Sequence, residues 1–336
     1  VLLLLVSAGL VAGGYLGWRW LANRLERRRA LELLVQNQFD ESEPLLLRAF
    51  ARNPDDLEVV KALALKYARG NRFPEAEPFL TRWCELQPSE VEPFTRRMNL
   101  YNQLAQRERA LADGRHILEI DPENDTNRER VASLALSVGQ FAEAEREFQY
   151  LLGKQPNDLK VRYWLAEVYF NQGAYDKAQA LVSSLLHEDP LHQDALALQG
   201  FLYYRTNQPK EAIPILRKVL TLDPERQKTA RYYLGLSLER TGQVEEARKV
   251  LAEMQRLQDA DRLYEDSKLQ PDNLPLHVQA AEAVLNIGKT KEGLKLLEKV
   301  LARDPTHAAA HRVLASYYEK QGDLALAAEH RRQAEK

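Results

Sequence analysis

Prolines stand at Pro54, Pro88, Pro122, Pro156, Pro190 and Pro224, each 34 residues after the last, and Pro271 and Pro305 are again 34 apart. A period of that length marks a repeated supersecondary unit that cannot bury its apolar face alone and must stack on its neighbours. Other positions keep step with the prolines. Twelve residues before them lie Ser42, Ala76, Ala110, Ala144, Ala178, Ala212 and Gly293, all small enough to let two helices approach closely. Seventeen before them lie Gly139, Gly173 and Gly288, with Asn207 as a substitute, and these residue types accept the left-handed conformation that ends a helix. Tyr67, Tyr101, Tyr169 and Tyr203 recur at minus twenty-one, and Leu46, Leu80, Phe148, Val182, Leu216 and Leu297 at minus eight.

The pattern within one period reads as a helix, a tight turn, a second helix and a proline that stops it. In "DLKVRYWLAEVYFNQG", Leu165, Ala166 and Tyr169 form a stripe at helical spacing, and Ala178, Leu181, Val182 and Leu185 form a second one. Asp125, Asp158 and Asp272 are placed to cap first helices. Pro44, Pro78 and Pro214 are expected within the first turn or so of second helices, where a missing N–H does little harm.

Leu165, Ala166, Tyr169, Gly173, Ala178, Val182 and Pro190 in one period, and Gly200, Tyr203, Ala212, Leu216 and Pro224 in the next, resemble the tetratricopeptide repeat (TPR). The resemblance covers residues 23–336. It implies an all-α fold, a right-handed TPR superhelix built as a helix-turn-helix solenoid, whose concave wall of first helices holds a protein or peptide. Side chains of those helices not used by the stripes are Lys160, Tyr163 and Phe170, then Phe201, Tyr204 and Arg205, then Tyr232 and Arg240. These are the candidate partner-binding groove, since aromatic and arginine side chains anchor interfaces. Phe170 and Tyr204 are 34 apart and expected side by side on adjacent units; the competing reading is that these rings complete the packing between repeats. Two departures stand out. The interval from Pro224 to Pro271 is 47 residues, with "YYLGLSLERTGQVEEARKVLAEMQ" shifted by one and "RLQDADRLYEDSKLQP" expected as an extended or kinked helix. The first unit, 23–54, lacks the glycine and the tyrosine.

The amino-terminal stretch "VLLLLVSAGLVAGGYLGW" carries no charge over 18 residues, long enough for a membrane-spanning helix. It leads into "RWLANRLERRR", and the arginines from Arg19 to Arg29 favour a cytoplasmic solenoid behind a single-pass anchor. A cleaved signal peptide is the alternative, given Ser7, Ala8, Ala12 and Gly13, and would make the chain a secreted or periplasmic adaptor. The domains expected are an anchor at 1–22, a TPR array at 23–258, an irregular or extended helix at 259–271, and closing TPR units at 272–336. This layout is similar to bacterial membrane-anchored TPR proteins of envelope assembly.

Charged residues make up 29% of the chain and the net charge is −2, with no basic stripe of the kind nucleic acid requires. Cys84 is the single cysteine, so no internal disulfide and no CxxC site exists. "GKTKEG" mimics the end of a phosphate-binding loop, but Ala283 stands where that loop needs glycine. His307 and His311, like His187 and His192, lack a third ligand at metal spacing and read as solvated surface groups. No catalytic residue, cofactor, metal site or small-molecule substrate is indicated. The expected function is a membrane-anchored, non-catalytic scaffold for protein–protein interaction, or else a non-catalytic subunit of an enzyme complex.

Overall fold

A computed structural model describes residues 21–222 and 227–335, and all their regular structure is helical. The chain divides into two compact units, Val1–Gly173 and Ala174–Lys336. In the first, α1 covers 21–35 and is followed by α2 (Phe39–Arg52), α3 (Leu57–Arg69), α4 (Phe73–Leu86), α5 (Val91–Gln103), α6 (Arg107–Ile120), α7 (Asp125–Ser137), α8 (Phe141–Lys154) and α9 (Leu159–Gln172). In the second lie α10 (Tyr175–Glu188), α11 (Gln193–Arg205), α12 (Pro209–Leu222), α13 (Gln227–Arg240), α14 (Val244–Leu269), α15 (Leu274–Asn286), α16 (Thr290–Arg303), α17 (Ala308–Gln321) and α18 (Leu324–Ala334). Odd-numbered helices are the first and even-numbered the second of each repeat. Within each unit, consecutive helices pack on one another, and α11 also touches α13, as α15 touches α17.

The turn inside each repeat is set by one left-handed residue. Gly139, Gly173, Gly242, Gly288 and Gly322 have φ between +78° and +86°, and Asn207 takes +63°. Asn37, Asn71 and Ala105 continue the same series into the units where no glycine stands, at +61°, +56° and +56°. After the left-handed residue the next N–H reaches back to the first helix: Arg72 to the Tyr67 carbonyl (2.9 Å), Gln106 to Tyr101 (2.8 Å), Gln208 to Tyr203 (2.7 Å). This bond satisfies carbonyls that the helix end would otherwise orphan.

The prolines act on the residue before them. Asn53, Gln87, Asp121, Gln155, Asp189 and Asp304 terminate second helices with φ between −139° and −129°, because the following ring disfavours the helical region. Pro224 lies outside the described residues. Two positions after the proline comes the cap of the next first helix: Asp56, Asn124, Asp158, His192, Asn273 and His307 each accept a backbone N–H. The expected caps Asp125 and Asp272 are thus displaced by their neighbours Asn124 and Asn273, which hold the register that Asp158 also keeps. Pro44, Pro78 and Pro214 sit beyond the first turn, each the sixth residue of its helix. All three are exposed, so water reaches the carbonyls that lose their partner.

Close packing follows from the small residues. Ser42, Ala76, Ala110, Ala144, Ala178 and Ala212 are fully buried, and the Ser42 hydroxyl donates to the Ala30 carbonyl at 2.9 Å. A β-carbon on Gly200 would stand 2.6 Å from Leu216 Cδ2, so α11 and α12 could not keep their separation with a larger residue there. Tyr67 and Tyr101 are buried and donate to Glu43 (2.7 Å) and Glu77 (3.4 Å) on the second helix of the preceding repeat. Burial, and then the Glu43 carboxylate, push the Tyr67 hydroxyl pKa up to about 12.

The single-pass anchor is corrected here. Residues 1–20 of the expected span lie outside the described residues, and among the described residues no helix is long and apolar enough to cross a membrane. Of the arginines expected to set topology, Arg19 lies outside the described residues and Arg27 is used inside the array. Arg27 pairs with Asp56 and Glu58, and Glu26 takes both Arg48 (2.7 Å) and Arg52. These pairs tie α1 to α2 and to the start of α3. Membrane localisation, a cytoplasmic side and the membrane as a partner are therefore not carried forward. Over the 47-residue interval, α14 runs for 26 residues. Its Asp261 binds Lys228 of α13 and Lys289 (2.7 Å) before α16. Burial would raise that carboxyl, but the two ammonium groups outweigh it and lower its pKa.

Two substitutions test this architecture. Ala105→Gly relieves a left-handed alanine that costs about 1–2 kcal/mol, partly offset by the greater unfolded-state freedom of glycine. The expected result is a rise in the urea midpoint equivalent to about 0.5–1 kcal/mol. Ala178→Leu overfills a fully buried position and should cost about 1–3 kcal/mol. Unchanged thermal unfolding would show that Ala178 is not at a close contact.

Candidate interaction surfaces

Five of the predicted groove residues lie on α11 and α13 of the second unit, around one ring that the sequence reading did not single out. Phe201 stacks on Tyr233 with centroids 4.5 Å apart, while Tyr204 (5.4 Å) and Tyr232 (5.7 Å) meet the same ring edge-on. The Arg240 guanidinium lies 4.1 Å from the Tyr204 ring centroid and donates to the Tyr204 carbonyl. Arg205 lies 5.4 Å from the Tyr175 ring. Phe201, Tyr204 and Tyr233 are half-buried and pack on the core of Leu196, Leu234 and Leu238. Tyr232 is 45% exposed, which makes it the ring of this cluster most open to a partner. Packing and display are therefore both served by one cluster, in which Tyr233 is the support.

The remaining three lie on α9 of the first unit. Lys160 is exposed and paired with Glu129 of α7. Tyr163 meets Trp164 edge-on at 5.2 Å and hydrogen-bonds Glu167, whose carboxyl is pushed up by burial and only partly restored by that bond. Phe170 is half-buried near the end of the helix.

With the one-residue shift of its repeat, Tyr233 stands 35 after Leu198, a buried position of α11, so the repeat pattern marks it as core rather than as a groove residue. A second feature lies in the first unit: α3, α5 and α7 form adjoining open grooves lined by Arg69, Arg96, Asn99, Glu129 and Arg130, with Arg107 of α6 beside them. No aromatic motif marks them, and their arginines come together only when alternate helices pack.

His192, His307 and His311 are structural rather than solvated, while His187 is exposed. Nδ1 of His192 and of His307 accepts a helix N–H at 3.3 Å. His311 is buried, with one ring nitrogen 3.0 Å from the Pro305 carbonyl and the other 3.0 Å from His330 Nδ1. Burial, and then the His311 charge, hold His330 below the usual histidine pKa. Among the described residues, no group of three or more His, Cys, Asp or Glu side chains is placed to hold a metal ion.

Paired helices, left-handed turns and proline stops define a helical repeat protein, and family comparison agrees. Models described as tetratricopeptide repeat match residues 27–91, 135–200, 203–270 and 278–336. The chain belongs to the tetratricopeptide repeat family. It is similar to TPR repeat-containing protein YpiA of Bacillus subtilis (strain 168), 27% identical over 270 residues, which cover 71% of this chain and 62% of that protein. Cellulose synthase operon protein C of Pseudomonas fluorescens (strain SBW25) is 24% identical over 86% of this chain and 21% of that protein. The chain thus spans less than two thirds of the length of either relative. A solved tetratricopeptide repeat protein from Parabacteroides merdae ATCC 43184 aligns with a TM-score of 0.47 and 18% identity, covering 69% of this chain and 98% of that one.

Tyr233→Ala should separate support from display. Removing a ring on which Phe201, Tyr204 and Tyr232 all pack is expected to cost about 2–4 kcal/mol in urea unfolding. Tyr232→Ala, at an exposed position, should stay within about 1 kcal/mol. Equal costs would show that Tyr233 does not organise the cluster.

Proposed function

We propose that this chain is a non-catalytic scaffold whose first helices hold a segment of a protein partner, with Phe201, Tyr204, Arg205, Tyr232 and Arg240 forming one contact surface. Lys160, Tyr163 and Phe170 on α9 are proposed as a separate contact of the first unit. The supporting observation is the ring cluster on α11 and α13, in which Arg240 covers Tyr204 at 4.1 Å while Tyr232 remains 45% exposed. Aromatic rings bury much area while freezing few torsions, and a guanidinium beside them can pair with a carboxylate or stack on a partner ring. TPR repeats are typically scaffolds, which supports a binding role over a catalytic one. With the membrane anchor withdrawn, envelope assembly loses the feature that suggested it.

A photo-crosslinking amino acid at position 232 in the full chain should capture a protein partner in cells. Phe170→Ala combined with Tyr204→Ala should weaken the isolated complex by at least about 2 kcal/mol, near thirtyfold, as truncation of interface anchors does. Far-UV circular dichroism should stay unchanged. Loss of helicity without a partner would mean that these rings serve packing alone. Copurification of a catalytic activity with the captured protein would place the chain as a subunit of an enzyme complex.

A further inference from the structure

Two grooves adjoin in the first unit. One lies between α3 and α5, where Arg69, Arg96 and Asn99 line it; the other lies between α5 and α7, where Asn99, Asn102, Glu129 and Arg130 line it together with Arg107 at the start of α6. Asn99 belongs to both, so the two form one continuous face. Carboxylates on these helices are already engaged: Glu58 with Arg27, Glu92 with Arg96 (3.2 Å), and Glu129 with Lys160. Arg69 and Arg107 have no carboxylate partner among the described residues. Arg130 donates only to the neutral Asn99 amide, at 3.4 Å. Arg69, Arg107 and Arg130 are all exposed. In a chain of net charge −2, this face therefore concentrates uncompensated positive charge.

We propose that the face formed by α3, α5 and α7 holds an extended acidic segment of a protein partner. The guanidinium groups supply forked donors for carboxylates. The Asn99 and Asn102 amides can each donate and accept, which suits the alternating groups of a peptide backbone. Leu65, Ala68 and Phe73 beside Arg69 give side chains of the segment an apolar floor. Neighbouring first helices stand roughly 10 Å apart, so three of them span roughly 20 Å, the reach of about six extended residues. A nucleic acid strand fits the chemistry less well, because the face pairs its few arginines with amides and shallow apolar surface, and the rest of the chain is slightly acidic. The proposal rests on the reading of the chain as a protein-binding scaffold, but uses other helices than the aromatic cluster.

The test uses the full chain and a fluorescein-labelled twelve-residue peptide alternating glutamate and serine, followed by fluorescence anisotropy at 50 and 300 mM salt. The expected result is binding that weakens with salt, is absent for a matched lysine–serine peptide, and falls at least tenfold for Arg69→Glu and for Arg130→Glu. Arg248→Glu, on the exposed face of α14, should leave it unchanged. Circular dichroism of each variant verifies folding. The proposal is overturned by no binding of the acidic peptide at 1 mM, by binding insensitive to both arginine reversals, or by tighter binding of a twelve-nucleotide oligothymidine. The acidic-peptide assay reads this face, whereas crosslinking at position 232 reads the aromatic surface, so failure of one is distinguishable from failure of the other.

Discussion

The structure depends on how closely the two helices of a repeat can approach. Twelve residues before each of Pro54, Pro88, Pro122, Pro156, Pro190 and Pro224 the side chain is never larger than serine, and these residues are fully buried. Where glycine faces the opposite helix, as at Gly200, the space a methyl group would need is already taken by Leu216. Interiors are packed to the density of organic crystals, so such a contact tolerates no enlargement without moving a helix. The other features serve this contact. A left-handed residue reverses the chain within a few residues, and a proline ends the second helix before it overruns its partner.

That economy leaves the first helices free to carry function. Their inward stripes, such as Leu165, Ala166 and Tyr169, are buried, while their remaining faces differ from repeat to repeat. In α3, α5 and α7 those faces are arginine and asparagine; in α11 and α13 they are tyrosine and phenylalanine. Exposed ion pairs between helices, such as Arg217 with Glu246 at 2.6 Å, contribute little stability each. Their effect is to consume charge, so that arginines left without a carboxylate become conspicuous.

Several elements were legible from composition and spacing alone, and others were not, for reasons that residues illustrate. The turn glycines could be read because positive φ excludes most side chains. Ala105 could not, because alanine gives no sign that its neighbours force it to φ +56°. Pro44, Pro78 and Pro214 were placed too early in their helices: the sequence shows a proline near a helix start, but exposure decides how deep it is tolerated. Spacing along the chain places Arg19 to Arg29 behind a membrane span, whereas Arg27 finds its carboxylates 29 and 31 residues away. No local pattern reveals a partner at that separation.

By itself the sequence determined the repeat, its period, the helix pairing and the family, because each of these follows from steric rules acting within one unit: small residues at contacts, φ > 0 at turns, proline at stops. Tertiary structure alone decided which side chains of the first helices remain available. Tyr233 became the support for three other rings because α11 and α13 pack side by side, and Arg69, Arg107 and Arg130 were left without a carboxylate partner among the described residues. Availability is a property of neighbours about one repeat apart in sequence, and it is fixed by distance in space, which spacing along a chain does not encode.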